Sequence, residues 1–329
     1  MINKIAGAIY GMALGDAMGM PPELWSRKKT KEFFGEIKEF LDGPKENDVA
    51  CNYTKGQFTD DTAQALVIID SLIDTNFIPS QLDIATKLLE WADRENAFEN
   101  NILGPTSKAA LNGFRENKDT KSITDAAQSN GSAMRIAPIG CLFSSDKKKE
   151  LVDYVYEISR TTHSSDISIA GAAMIAMAVS SSMENDDFDK VMEDVYEIEE
   201  YALSLGCETI NPSIAARTKL GVELANKYEG NDDEFLENIY NIIGAGVIIS
   251  ESVPAALSIA YYAKDPNKCS ILCANLGGDT DTIGAMACAI CGAFTGFDKI
   301  NKEYVADLDK NNDINLQKYV DILLERREA

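Results

Sequence analysis

The chain has 329 residues, 45% hydrophobic and 26% charged, enough for one large domain or two and for a core that buries about three quarters of the unfolded surface. Its 53 Asp and Glu outweigh 31 Lys and Arg, and a formal charge of −22 repels nucleic-acid backbones and anionic membranes; the most basic run, Arg27-Lys28-Lys29 to Lys31, leads straight into Glu32 and Glu36. A single histidine, His163, excludes multi-histidine zinc and iron sites and leaves any histidine-dependent hydrolase that one residue.

The pattern is helical nearly throughout. Lys4 precedes an apolar stretch, Ile5 to Leu14, which Asp16 interrupts and which no small-x-small cleavage site follows, so it reads as a helix and not a leader. Gly7, Gly11, Gly15 and Gly19 recur every four residues, the spacing for close helix packing, and the segment ends in Pro21-Pro22-Glu23. Asp42-Gly-Pro-Lys reads as a surface loop. An apolar helix is expected over Ala63 to Leu72, and another over Ser80 to Trp91, with Ser80 as cap and Leu82, Ala85, Leu88 and Leu89 on one face. Small residues fill Ala170 to Val179, within the uncharged run Ile167 to Met183. Helical spacing then marks Phe188 to Leu205, Ala215 to Tyr228 and Asp233 to Ile243, with Gly230-Asn-Asp-Asp as a loop. Gly284 to Gly296, inside the uncharged run Thr282 to Phe297, and Leu316 to Arg326 complete the set. Both uncharged runs lack Lys/Arg flanks and read as buried helices, not membrane spans. Period-two strands, linkers and internal repeats are absent, so the expectation is an all-α fold with one domain over residues 1–329.

Seven cysteines, an odd number set in apolar segments, read as buried thiols in a reducing, cytoplasmic setting. Cys269-x3-Cys273 and Cys288-x2-Cys291 lack the turn residues of a zinc knuckle and read as core packing. Asp307-x-Asp309-x-Asn311-x-Asp313 imitates a calcium loop, but Asn312 stands where the turn glycine belongs and Lys318 where the bidentate Glu belongs; a solvated acidic turn before the last helix is expected.

Two acidic clusters have neighbours that do not suit a solvated face. Gln57-Phe58-Thr59-Asp60-Asp61-Thr62 and Asn275-Leu-Gly-Gly-Asp279-Thr280-Asp281-Thr282 each open an apolar helix. Either alone fits an N-cap. Together they bring four carboxylates that would repel one another without cations, with Thr hydroxyls as further oxygen ligands. A histidine-free oxygen site favours Mg²⁺, Mn²⁺ or Ca²⁺.

These clusters are two of five landmarks, with Gly15-Asp16-Ala-Met-Gly19 and Glu23, Asn130-Gly131-Ser132-Ala133-Met134-Arg135, and Thr162-His163. In that order they resemble the ADP-ribosylglycohydrolase family, which includes the enzyme that reactivates dinitrogenase reductase, over residues from about 5 to 300. The resemblance implies an all-helical single domain holding two Mg²⁺, in some members Mn²⁺, at the bottom of a cleft. By position Thr59, Asp60, Asp61, Asp279, Asp281 and Thr282 would be metal ligands, and Glu23 the carboxylate beside them, with catalysis resting on Glu23, Asp60 and Asp281. Asn130, Gly131 and Ser132 match a substrate-lining loop. Gly104-Pro105-Thr106-Ser107 looks like a phosphate- or ribose-facing one, with Gly104 and Thr106 at the substrate. His163 matches a residue near the substrate, or else merely orders a loop; Asp16 and Arg135 read as a cap or a buried ion pair behind the site, or else as substrate contacts.

The implied chemistry is metal-dependent hydrolysis of an N- or O-glycosidic bond at the anomeric carbon of an ADP-ribosyl group, with an ADP-ribosylated protein as partner. Pro22-Glu23-Leu24-Trp25, Gly43-Pro44-Lys45-Glu46-Asn47 and Glu251-Ser-Val-Pro254 resemble a bacterial branch found beside sugar kinases and nucleoside transporters, which makes a nucleoside or other small riboside the alternative substrate. A non-catalytic, crystallin-like role is the third reading, and the intact ligand set argues against it.

Overall fold

A computed structural model describes residues 1–100 and 102–328, in which the regular elements are helices and no β-strand forms. The first helix, Ile2–Gly19, has no polar stripe: every residue from Ile5 to Gly19 is buried. A helix apolar all round must lie inside the protein. It lies antiparallel to Thr280–Thr295, likewise buried from Thr280 to Ala293.

Glycine makes that pairing possible. A Cβ added at Gly7 would stand 2.1 Å from the carbonyl oxygen of Gly292, at Gly11 2.3 Å from that of Cys288, and at Gly15 2.0 Å from that of Gly284. At Gly19 it would stand 2.3 Å from the Thr280 oxygen. The two backbones therefore touch along four turns, which no larger residue permits. Because the helices run antiparallel, the C-terminal end of the first, with Asp16 and then Glu23, meets the N-terminal end of the second, with Asp279 and Asp281.

The helix Asp60–Asp74 meets this pair through its N-terminus. Its N-cap residue, Thr59, makes no side-chain cap of its own. Instead the buried Asp16 supplies one from the first helix, accepting from the Thr59 and Thr62 amides at 2.8 and 2.9 Å and from their hydroxyls at 2.8 and 2.6 Å. Asp16 is thus the cap that its sequence position allowed. Gln81–Arg94 follows, with Ser80 accepting from the Asp83 amide as expected.

Asp166–Glu184 is long and apolar enough to cross a bilayer, but Ile167 to Met183 are all buried among protein helices, including Lys148–Ser159, Phe188–Glu197 and Thr280–Thr295. Ile214–Lys227 and Leu316–Glu328 stand where the spacing put them. Three expectations need correction. Phe188 to Leu205 is two helices, Phe188–Glu197 and Glu199–Leu203, broken at Ile198. The segment expected as a helix to Ile243 is helical over Asp232–Asn238 and then widens into a π-turn, Ile239–Ile243, ended by Gly244 at φ +94°. The calcium-loop imitation is half helix: Lys302–Asn311 contains Asp307 and Asp309, and Asn312 then docks, accepting from the Phe58 amide and donating to the Gly56 carbonyl.

The seven cysteines are unpaired by disulfides. Cys269, Cys273, Cys288 and Cys291 are fully buried in two packed helices, and the thiols of Cys288 and Cys291 point at the carbonyls of Pro266 and Ala260.

Candidate metal centre

Three chain segments converge above the glycine-paired helices. Glu23 sits on the turn after the first helix, where Asn47 donates to the carbonyls of Pro21 and Glu23 at 3.1 and 2.9 Å. Leu24 and Trp25 then pair with Gly278, the Leu24 amide donating to the Gly278 carbonyl at 2.8 Å and the Gly278 amide to Trp25 at 2.7 Å. Gly277 and Gly278 hold φ of +83° and +85°, and a Cβ at Gly278 would stand 2.0 Å from the Ala245 oxygen, so both the left-handed backbone and the close approach require glycine. This double turn delivers Asp279, whose amide donates to the Ala245 carbonyl at 2.7 Å, and Asp281 in the first helical turn.

Glu23, Asp279 and Asp281 each bring an oxygen within 4.8 Å of the others. Asp60 and Asp61 come in from the opposing helix N-terminus. The Thr59 hydroxyl stands 2.8 Å from Asp16, 3.1 Å from Asp61 and 3.5 Å from Asp281. One hydroxyl proton cannot satisfy three carboxylates. It serves Asp16, so the Asp61 and Asp281 oxygens face hydroxyl lone pairs. A second oxygen on each, Oδ1 of Asp61 and of Asp281, is buried without a hydrogen-bond partner.

The electrostatics tell the same story. Burial, reinforced by Asp279, Asp60 and Asp61, pushes the Glu23 carboxyl well above its ordinary range. Asp61 and Asp281 are pushed up in the same way, by burial and then by Asp281 and by Glu23 respectively. Burial raises Asp60 to about 7 and Asp279 to about 6, the latter against hydrogen bonds from Asn130, Asp281 and Thr282 that hold it down. The nearby cation, Arg135, acts on Asp60 alone through Gln64: its guanidinium donates to the Gln64 oxygen at 2.6 Å, and the Gln64 amide donates to Asp60 at 2.7 Å. It forms no ion pair of its own among the described residues. Orphaned buried carboxylate oxygens, hydroxyl lone pairs and mutual repulsion are what hard divalent cations relieve, and the donor set fits them.

Of the substrate-loop residues Asn130 reaches the acids directly, Gly131 and Thr106 adjoin His163 and Ser129 beside them, and Gly104 touches none of these. Asn130 donates to Asp279 at 2.5 Å, and its amide donates to the Val247 carbonyl. Gly131 lies against His163, where a Cβ would stand 2.8 Å from the ring. Gly104 precedes the helix Pro105–Arg115, in which Thr106 lies 3.3 Å from the Ser129 hydroxyl. Thr282 is buried beside Asp279. Ser132 alone is committed elsewhere: its hydroxyl donates to the Ser168 carbonyl at 3.1 Å, leaving only backbone for the loop.

Sequence reasoning missed Gln64, Ser129 and Tyr53, and gave Thr162 no role beyond its place beside His163. Gln64 sits four residues after Asp60, the one spacing that could have disclosed it. Tyr53 is pushed far up by burial and by Asp60, Glu23, Asp16 and Asp281, which places its ring beside the acids. With Asp60 it lines a cavity of about 590 Å³ that extends to Trp91 and Tyr319.

The sequence profile of the ADP-ribosylglycohydrolase family matches residues 1–329. A protein of Escherichia coli K12 with the name uncharacterized protein YegU is 41% identical over 99% of this chain and 98% of its own. ADP-ribosyl-[dinitrogen reductase] glycohydrolase of Rhodospirillum rubrum is 24% identical over 98% of this chain and 96% of its own, and ADP-ribosylhydrolase ARH3 of Xenopus tropicalis 26% over 91% and 89%. A solved structure titled ADP-ribosylglycohydrolase-related protein complex superposes with a TM-score of 0.70 at 22% identity, covering 99% of this chain and 98% of that one.

Proposed function

The chain belongs to the ADP-ribosylglycohydrolase family and is a hydrolase, and we propose that it uses two divalent cations, Mg²⁺ or Mn²⁺, to hydrolyse the glycosidic bond between the anomeric carbon of an ADP-ribosyl group and an N- or O-linked protein side chain. The observation that carries this is the pair of orphaned buried oxygens, Oδ1 of Asp61 and of Asp281, on carboxylates whose other oxygens face Thr59 where two helix N-termini meet. Thr59, Asp60, Asp61, Asp279, Asp281 and Thr282 would hold the ions, which supply Lewis-acid stabilisation of charge and activation of water. The seven free thiols fit a cytoplasmic setting.

The rest is the work of the chain. Cleavage at an anomeric carbon passes through an oxocarbenium-like state, whose positive charge the surrounding carboxylates favour. Glu23 and Asp60 keep partial exposure while Asp61, Asp279 and Asp281 are buried, and Asp60 is engaged by the Gln64 amide, so Glu23 is the carboxylate left to meet both solvent and substrate. It takes the proton of the attacking water as the new carbon–oxygen bond forms, and returns it to the departing nitrogen or oxygen. Asn130, held to Asp279, and the backbone of Gly131 orient the sugar.

The test is a release assay with Mg²⁺ or Mn²⁺, offering Arg- and Ser-ADP-ribosylated protein alongside a panel of nucleosides, with the Asp60→Ala/Asp281→Ala double variant as blank. Free ADP-ribose from protein, lost in the variant, supports the proposal. Ribose from a nucleoside alone replaces it with a salvage activity on small ribosides. Failure on every substrate at saturating metal overturns both.

A further inference from the structure

We propose that Arg135 and Thr162 lock His163 as the neutral tautomer protonated at Nε2, making it a positioning residue that aims the Ser129 hydroxyl at the substrate loop and not an acid or base of the reaction. The inference rests on the proposed reading of Thr106 and Ser129–Gly131 as substrate-facing, and it adds a role for residues behind them.

The order of donors along the line is forced. Arg135 can only donate, and it donates to the Thr162 hydroxyl at 2.5 Å. Thr162 is fully buried, and its own proton has one neighbour able to accept it, His163 Nδ1 at 2.8 Å. Nδ1 is therefore an acceptor, and the ring proton lies on Nε2. Nε2 is 2.9 Å from the Ser129 hydroxyl, which accepts it and turns its own proton to Thr106 at 3.3 Å, or to a substrate oxygen that replaces Thr106. The reverse tautomer, or a charged ring, would put a proton on Nδ1 and strand the Thr162 proton in a fully buried site. Burial and the Arg135 charge also pull the ring down to about 3, which keeps it neutral. At its other end Arg135 reaches Asp60 through Gln64, so the line joins the acids to the substrate loop.

The chain has one histidine, so a long-range proton–nitrogen spectrum of the ¹⁵N-labelled full-length protein contains one imidazole. The expected result at pH 7 is a protonated Nε2 and a bare, hydrogen-bonded Nδ1. Thr162→Val should lose that fixed preference and lower ADP-ribose release about tenfold or more, while Thr162→Ser keeps the spectrum and restores release. A proton on Nδ1 in the wild type, an imidazolium at pH 7, or an unchanged spectrum in Thr162→Val overturns the inference. The wild-type spectrum decides even where Thr162→Val fails to fold. It needs no substrate, so a wrong tautomer counts against this inference alone, and failed hydrolysis against the proposed function alone.

Discussion

Removing divalent cations with a chelator should make the fold sensitive to pH in a direction opposite to that of most proteins. In the cation-free protein Asp60 is raised from the usual 3.8 to about 7. The folded state therefore holds this proton more tightly than the unfolded chain. The stabilisation is complete below about pH 4 and is lost as pH climbs through about 7. A shift of about 3 pH units at about 1.36 kcal/mol each gives about 4 kcal/mol from Asp60 alone. Asp279, raised to about 6 chiefly by burial, acts in the same direction. At ~2 °C per kcal/mol, the melting temperature should fall by roughly 8 °C between pH 4.5 and 7.5. The net charge of −22 also favours lower pH, so the quantity to read is the difference between wild type and Asp60→Asn, whose slope should be shallower. Adding Mg²⁺ or Mn²⁺ at about 100 times its dissociation constant at pH 7.5 should restore about 2.7 kcal/mol. Calorimetry of both proteins at both pH values, and of wild type with each cation at pH 7.5, checks this. Equal slopes in wild type and Asp60→Asn, or no gain with either cation, would refute the assignment of these acids to a cation site.

Gly15→Ala should destabilise despite the better helix former, because its Cβ falls 2.0 Å from the Gly284 oxygen. Overpacking costs about 1–3 kcal/mol against about 1 kcal/mol of helix propensity, so urea melts should show a net loss of up to about 2 kcal/mol; an unchanged midpoint would mean that the two helices slide apart freely. Glu23→Gln should keep the wild-type melting temperature within a few degrees and lower turnover by about 10²-fold or more, since proton transfer commonly contributes 10²–10⁴; near-normal turnover removes Glu23 from the proton path. Asp16→Ala strands two amides and two hydroxyls and should cost about 3 kcal/mol in denaturant melts, more than Asp16→Asn, which retains an acceptor for the Thr59 or Thr62 pair.

What the sequence discloses follows from which interactions are local. The glycine spacing in the first helix and the run of small residues after Thr282 mark two helices built for close packing, because one backbone contact every turn needs one small residue every four, but that they pack against each other is visible only in the fold. The acids are legible for a similar reason: Thr-Asp-Asp-Thr and Asp-Thr-Asp-Thr each lie within one turn, so chemistry and cap signal coincide. The break at Ile198 and the π-turn at Ile239–Ile243 leave no such trace, since both segments keep helical spacing. The π-turn is set by tertiary demand: Gly244 must release the chain so that the Ala245 carbonyl can receive the Asp279 amide. Ser129 and Thr162 are ordinary loop residues whose partners lie 23 or more positions away, apart from the Thr162–His163 contact, and Tyr53 meets Asp60 nearby in the chain but Glu23 and Asp281 only across the fold, so the folded chain alone gives them directions.

A group of repelling acids can be kept only by a scaffold that gains elsewhere, and here the gain and the acids sit on the same helix. Ile2–Gly19 buries fifteen consecutive residues, against Thr280–Thr295 along most of its length, and at its end offers Asp16 to close the N-terminus of Asp60–Asp74. One helix therefore fixes the position of both ligand-bearing helix starts, and Glu23 follows within a turn. The two helix N-termini point their free amides and positive dipole ends at the acids, which offsets part of the repulsion before any cation arrives. That division explains why the residues nearest the chemistry are not the ones that hold it in shape. Altering Asp61 or Asp281 should change what binds, whereas altering Gly15 or Asp16 should change where the acids stand, and the two kinds of variant are separable by whether added cation restores the melting temperature.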